Sequence, residues 1–129
     1  MKKRIFIIGN DANAYALAKN LSKQHDIFIA PSSDTLSEFA ETADIREDAV
    51  KELLEYAVEN EIDMTIVVSK AAVEADIASL FARHNQLIFA PSANAAEIIL
   101  NKVQAKKVMY KLRIPTPKFG IFEKENFIF

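Results

Sequence analysis

Cysteine is absent from the 129 residues. That excludes disulfides, thiolate metal sites and cysteine nucleophiles, and it fits a reducing cytoplasm. Glycine and proline are scarce, with two and four residues, while 50% of the chain is hydrophobic and 26% is charged. Such a composition belongs to an ordinary soluble globule and not to a disordered or fibrous chain. No apolar run approaches the roughly 20 residues of a membrane span. The opening Met1-Lys2-Lys3-Arg4 looks like the positive flank of a signal peptide. The apolar run behind it, residues 5–8, is far too short for the hydrophobic region of one and reads as a first strand. An excess of one charge is missing as well. The formal net charge of −2 gives no electrostatic case for nucleic acid or an anionic membrane as partner. The length suits one domain with one core.

What is present is an alternation. Residues 4–8 are a short β-branched run that stops at Gly9-Asn10, a strand followed by a turn. Residues 11–23 are alanine-rich, with Leu17 and Leu21 on one helical face. A second strand, 27–30, ends at Pro31-Ser32-Ser33, and residues 41–44 read as a further short one. Asp44 and Glu47 form a capping-box pattern ahead of a helix whose buried stripe is Val50, Leu53, Leu54 and Ala57. Residues 64–68 are almost continuously apolar, as in a strand covered on both faces. Ser69 is suited to cap the next helix, in which Val73, Ile77, Leu80 and Phe81 share a side. Residues 87–90 make another strand, stopped by Pro91. Ser92 then caps one long helix to about residue 112, with Ile98, Ala105, Val108, Met109 and Leu112 inward. Ile114-Pro115-Thr116-Pro117 is a stiff break, and 118–122 is a last β-prone piece. This alternation predicts an α/β domain with a mostly parallel sheet and right-handed crossovers.

In an open α/β sheet, ligands bind beyond the carboxyl ends of the strands, where the strand order reverses. Gly9, Asn10 and Asp11 should meet Pro31 and Ser32, Ser69 and Lys70, and Pro91 and Ser92 there, as a substrate-binding cleft. Backbone N–H groups at the helix starts would face an anion placed among them. The first turn, Gly9-Asn10-Asp11-Ala12-Asn13-Ala14, holds one glycine only. A dinucleotide requires the missing ones for the close approach of its pyrophosphate, and no P-loop occurs either. His25 and His84 fall near predicted helix ends, where a cation complements the dipole. The acidic run Glu47, Asp48, Glu52, Glu55, Glu59 reads as a solvated helix face. So do the basic residues Lys106, Lys107, Lys111 and Arg113, with Lys102 set apart. No residue is assigned to catalysis or to a metal. A receiver-like signalling domain would need paired acidic residues after the first strand, and only Asp11 stands there.

These landmarks together resemble the phosphoribosylamine–glycine ligases (glycinamide ribonucleotide synthetases). That family opens with a strand and Gly-Asn-Gly-Gly-Arg-Glu-His-Ala, where this chain has Gly9-Asn10-Asp11-Ala12-Asn13-Ala14-Tyr15-Ala16. Its Ala-Pro-Gly-Asn turn is similar to Ala30-Pro31-Ser32-Ser33. Its fourth strand, Ile-Asp-Leu-Thr-Val-Val-Gly-Pro-Glu, resembles Ile62-Asp63-Met64-Thr65-Ile66-Val67 and then departs at Val68-Ser69-Lys70. Its Ile-Phe-Gly-Pro-Thr, Gly-Ser-Lys and Gly-Ile-Pro-Thr resemble Ile88-Phe89-Ala90-Pro91-Ser92, Leu100-Asn101-Lys102 and Arg113-Ile114-Pro115-Thr116.

The resemblance spans the whole chain. It implies a three-layer, Rossmann-like pre-ATP-grasp domain over residues 1–114, with 115–129 as linker and first piece of an ATP-grasp domain. In that family the first domain holds phosphoribosylamine. The ATP-grasp domain binds ATP and Mg²⁺ and activates glycine as an acyl phosphate, which the amine attacks to give glycinamide ribonucleotide. Lys102 matches the family lysine that reaches toward the ATP phosphates. No cofactor is expected within these 129 residues. A phosphorylated ribose compound is the implied ligand, and the absent ATP-grasp domain the implied partner.

The departures gather where that ligand should lie. Most turn glycines are gone, Asp11 is gained, and Lys70 stands where the family has glutamate. A carboxylate about 4 Å from a phosphate costs about 4 kcal/mol per unit charge at an effective dielectric near 20. A helix N-terminus returns about 0.3–1 kcal/mol. Three arrangements of Asp11 follow: capping the helix at Asn13 or Ala14, pairing with Lys70 across the cleft, or standing with Lys70 as two independent solvated charges. Two functional readings follow as well. One is the N-terminal domain of such a ligase, inactive as a ligase on its own. The other is a non-catalytic degenerate paralogue that binds partners, with Phe119, Phe122, Phe127 and Phe129 as an apolar surface for docking or self-association. The apolar ending Asn126-Phe127-Ile128-Phe129 reads as an interrupted domain and favours the first.

Overall fold

In a computed structural model that describes residues 1–122, the first apolar run becomes β1 (Arg4–Ile8), the middle strand of a five-stranded sheet. The other strands are β2 (Asp26–Ala30), β3 (Glu41–Thr42), β4 (Met64–Val67) and β5 (Ile88–Phe89). All pairings are parallel, in the order β3-β2-β1-β4-β5. Ile8 is in register with Ala30 on one side and Val67 on the other. Neighbouring strands therefore end level, and the loops that leave them emerge at one edge.

Strand alternation sorts the side chains between two faces. Ile5, Ile7, Ile27 and Ile29 cluster on one face with Ala14 and Ala18 of α1 (Ala12–Leu21). The alanines let that helix lie close to the strands. Phe6 and Phe28 point the other way and meet Tyr56 of α2 (Val50–Glu59), with ring centroids 5.2 and 6.4 Å apart. Burial pushes the Tyr56 phenol above its ordinary pKa, the Glu41 carboxylate adds to this, and the Arg4 cation opposes it. Helices on both faces of a parallel sheet make the three-layer α/β fold that the sequence predicts. Leu53, Leu54 and Ala57 are buried as the stripe of α2 requires.

The chain divides into two compact units, Met1–Ala93 and Asn94–Phe129. The sheet, α1, α2, α3 (Lys70–Glu74) and α4 (Ile77–Arg83) belong to the first. The long helix expected after Ser92 is two helices, α5 (Ala93–Leu100) and α6 (Lys102–Lys111). The break is Asn101, whose extended backbone and side chain cap α6 by accepting from the N–H groups of Val103 and Gln104 at 3.0 and 3.2 Å. That break disrupts the expected apolar stripe, so Ile98 and Leu112 are exposed and not inward. Ala105, Val108 and Met109 are half-buried. Likewise the helix after Ser69 is interrupted at Asp76, which takes a left-handed conformation and accepts from Ser79 Oγ at 2.8 Å. The capping box at Asp44 and Glu47 does not form. Helix α2 starts later, behind Ala49, which makes no side-chain cap, and Glu47 is engaged elsewhere. Phe119 and Phe122 are exposed. Phe127, Phe129 and the rest of the apolar ending lie outside the described residues. Among the described residues no helix is long and apolar enough to cross a membrane.

The start of β1 is clamped by Asp63. Its carboxylate accepts from the backbone N–H of Arg4 at 2.8 Å and from Lys3 Nζ at 2.9 Å. The Arg4 amide first, then the lysine, hold its pKa below the ordinary carboxylate value. A depressed folded pKa stabilises above the unfolded value and is lost as pH falls through the folded one. The stability difference between the native chain and Asp63→Asn should therefore be full near pH 6 and shrink toward about pH 2, as read by thermal melts across that range. In the middle of β4, Thr65 is fully buried and its hydroxyl has no hydrogen-bond partner among the described residues. Thr65→Val removes an unsatisfied group at nearly constant shape. It should raise stability by about 1 kcal/mol in urea unfolding.

Candidate functional site

The strand order reverses at β1. The chain steps from β1 outward to β2 and β3, then returns to lay β4 on the opposite side. The two loops leaving β1 and β4 cross at this switch point, and they touch. Gly9 has φ +135°, a conformation L side chains rarely adopt, and a Cβ there would lie 2.5 Å from Val68 Cγ2 and 3.4 Å from the Ser69 nitrogen. The Gly9 N–H donates to the Ala30 carbonyl at 2.8 Å. The Ile8 carbonyl accepts from both Val68 and Ser69, at 3.0 and 3.1 Å. The retained glycine is thus required by the packing of the scaffold itself.

Asp11 is the N-cap of α1. One carboxylate oxygen accepts from the backbone N–H groups of Asn13 and Ala14, both at 2.9 Å, and the other from the Asn13 side-chain amide at 3.1 Å. Its own carbonyl accepts from Tyr15 N–H. The helix start that would face a ligand anion is therefore filled from within. The alternative arrangement, an ion pair with Lys70, does not form. Lys70 lies 3.7 Å from Glu74 one turn along α3, with both side chains more than half exposed, a pairing of little energetic weight.

Ser69 caps α3 as its type and position predict. It is buried, and its Oγ accepts from the Ala72 N–H at 3.2 Å. The same hydroxyl donates to Glu47 Oε2 at 2.5 Å. Glu47 is the site residue that the sequence reading missed, since its local pattern points to a helix cap. The signal that finds it is chemical: a buried serine hydroxyl that already caps a helix still carries a proton that needs an acceptor.

Gly9, Ser69 and Glu47 are joined by these contacts, Asp11 caps α1 two residues after Gly9, and Ala30 ties Pro31 to the same edge. The Ala30–Pro31 peptide is cis. Asn10, Ser32 and Lys70 are exposed beside them, and Pro91 and Ser92 follow β5. Lys102 belongs to the second unit, as the exposed first residue of α6. The arrangement is a cap-and-carboxylate frame. Ser69 Oγ is committed in both directions, and His25 and His84 are engaged with the Lys3 amide and the Leu80 carbonyl. Among the described residues no group of three His, Asp or Glu side chains is placed to hold a metal ion.

The family model for the phosphoribosylglycinamide synthetase N domain matches residues 3–98. The phosphoribosylamine–glycine ligase of Caldanaerobacter subterraneus subsp. tengcongensis is 32% identical over 124 residues, which cover 94% of this chain and 30% of that protein. The ligase of the same name from Halalkalibacterium halodurans is 31% identical over 121 residues, 92% of this chain and 28% of the relative. The chain thus spans under a third of the length of these relatives. Among solved structures, N5-carboxyaminoimidazole ribonucleotide synthetase from Thermotoga maritima superposes with a TM-score of 0.67 at 20% identity, covering 90% of this chain and 32% of that one. The biotin carboxylase domain of a single-chain bacterial carboxylase gives 0.64 at 20% identity, covering 89% and 30%. At such identity the likeness is one of fold.

Gly9→Ala should be among the most damaging single-methyl additions in the chain. Left-handed strain of about 1–3 kcal/mol and overpacking of about 1–3 kcal/mol act together. The urea midpoint of the variant should fall by an amount equivalent to about 2–6 kcal/mol. An unchanged midpoint would show that the β1 and β4 loops separate easily.

Proposed function

The chain belongs to the phosphoribosylglycinamide synthetase N-domain family, and on that premise we propose that it is the N-terminal, substrate-side domain of a phosphoribosylamine–glycine ligase-like protein of purine biosynthesis. The observation that carries this reading is the family match over residues 3–98. The whole protein would join phosphoribosylamine to glycine at the expense of ATP. ATP and Mg²⁺ would be held by the ATP-grasp portion of such a ligase, which supplies phosphoryl activation of glycine. This chain's own contribution is a wall for the amine-bearing substrate, built from the loops after β1, β2, β4 and β5. Lys102, exposed at the start of α6, is the side chain proposed to face the nucleotide. Residues 115–129 would lead from this domain into the next. The lack of cysteine supports a cytoplasmic setting.

The purified chain alone should show no ATP-dependent incorporation of glycine. A chimera tests the scaffold directly. This chain replaces the matched segment of the Caldanaerobacter ligase, with positions 9–16 changed to Gly-Asn-Gly-Gly-Arg-Glu-His-Ala. ATP-dependent formation of glycinamide ribonucleotide is the expected result. A folded, ATP-binding chimera without that activity would remove the ligase reading.

A further inference from the structure

We propose that a cavity at the amino end of the sheet binds a small zwitterion of the α-amino-acid class, its carboxylate on Arg4 and its ammonium on Glu41. The site lies wholly within the first unit, at the sheet edge opposite the loops described above. β1 has five residues, which puts about 15 Å between the two edges. The inference goes beyond the ligase reading and does not depend on it.

The cavity has a volume of about 440 Å³ and is walled by the first residues of β1, β2 and β3, by Ser22 and His25 after α1, and by Ser37 and Phe39 ahead of β3. Most of its polar groups are already satisfied. Lys2 Nζ pairs with Asp26 at 2.6 Å. The hydroxyls of Ser22 and Ser37 donate to the Lys19 and Asp34 carbonyls. His25 Nδ1 accepts from the Lys3 N–H at 3.3 Å, which leaves Nε2 as a further N–H donor. The backbone N–H groups of Arg4, Ser22, His25, Asp26, Ser37 and Phe39 all donate to protein acceptors. Two charges are left over. The Arg4 guanidinium lies on the Phe28 ring, 4.7 Å from its centroid, and its Nε is buried without a hydrogen-bond partner. Among the described residues no carboxylate stands within ion-pair distance of that guanidinium, and the Glu41 side chain has neither a hydrogen bond nor an ion pair.

The sheet keeps these two charges apart. Glu41 is in register with Phe28, and β2 separates β3 from β1, whose axes stand about 9–10 Å apart. A partly desolvated cation without a counter-ion is costly, and a buried donor without a partner calls for an acceptor. A guanidinium fork matches a planar carboxylate. An α-amino acid brings that carboxylate and, on the same carbon, the ammonium that Glu41 lacks. A simple anion or a simple amine would meet one of the two charges and be repelled by the other. Phe39, held edge-on against Tyr15, offers an apolar wall to a short side chain.

The experiment is titration of the native chain, Arg4→Gln and Glu41→Gln with L-alanine, with propionate and with ethylamine at low ionic strength. The readout is the amide shifts of Phe28 and Glu41, with thermal melts confirming the fold of each variant. The native chain should bind L-alanine about tenfold or more tighter than either single-charge probe, as a hydrogen bond to a charged group allows. Glu41→Gln should erase the preference over propionate, and Arg4→Gln the preference over ethylamine. Glu41 is exposed, so its variant keeps the fold and decides the matter even where Arg4→Gln unfolds. No shift with L-alanine, equal binding of the three probes by the native chain, or an undiminished preference over propionate in Glu41→Gln overturns the inference.

Discussion

β1 is paired along both edges and buried on both faces, and the other elements of the first unit take their places from it. Phe6, Ile7 and Ile8 are wholly removed from water, worth roughly 1.5–3 kcal/mol for each large side chain. The strand can be so apolar because its backbone groups are met on either side by β2 and β4. The alternation of its side chains assigns α1 to one face and α2 to the other. The level ending of β1, β2 and β4 then brings three loops together at one edge. Gly9 is where that convergence becomes atomic contact. The meeting of these loops at one edge is thus a product of the sheet's topology.

Much of this was legible in the sequence. The apolar runs at 4–8 and 64–68, the prolines after 30 and 90, and Ser69 as a helix cap all depend on local chemistry. What was not legible depends on choices between equivalent local options. Asn101 is tolerable inside a helix and good at its start, and the structure uses it as a start. Asp44 and Glu47 have the spacing of a cap, yet the buried Ser69 hydroxyl, 22 residues away in sequence, takes the glutamate. Asp76 carries a left-handed turn that no glycine marks. Each miss is a tertiary demand overriding a local preference. At the site, the alternatives for Asp11 were visible from its type and position. Only the geometry decides between a cap and an ion pair.

The match to the family is therefore of two kinds. Asp63, part of a shared strand motif, serves the scaffold by holding the start of β1. Gly9 serves it too, by letting two loops pass. The loop positions between them are free of that duty, and there the Asp11 side chain satisfies the backbone amides of Asn13 and Ala14 internally. Keeping a scaffold while changing what its edge offers is the usual way one fold serves several chemistries.

Both outer strands of the sheet, β3 and β5, are two residues long. A second sheet adding edge to edge would find almost no ladder of free N–H and C=O groups to extend. The most apolar part of the molecule is thus enclosed by neighbours on its faces and by brevity at its margins. Along these two edges, contacts between copies would be made by side chains, which tolerate a single charged substitution far less well than a backbone ladder does. The chain's behaviour at high concentration is open to tuning from its surface, without disturbing the sheet that folds it.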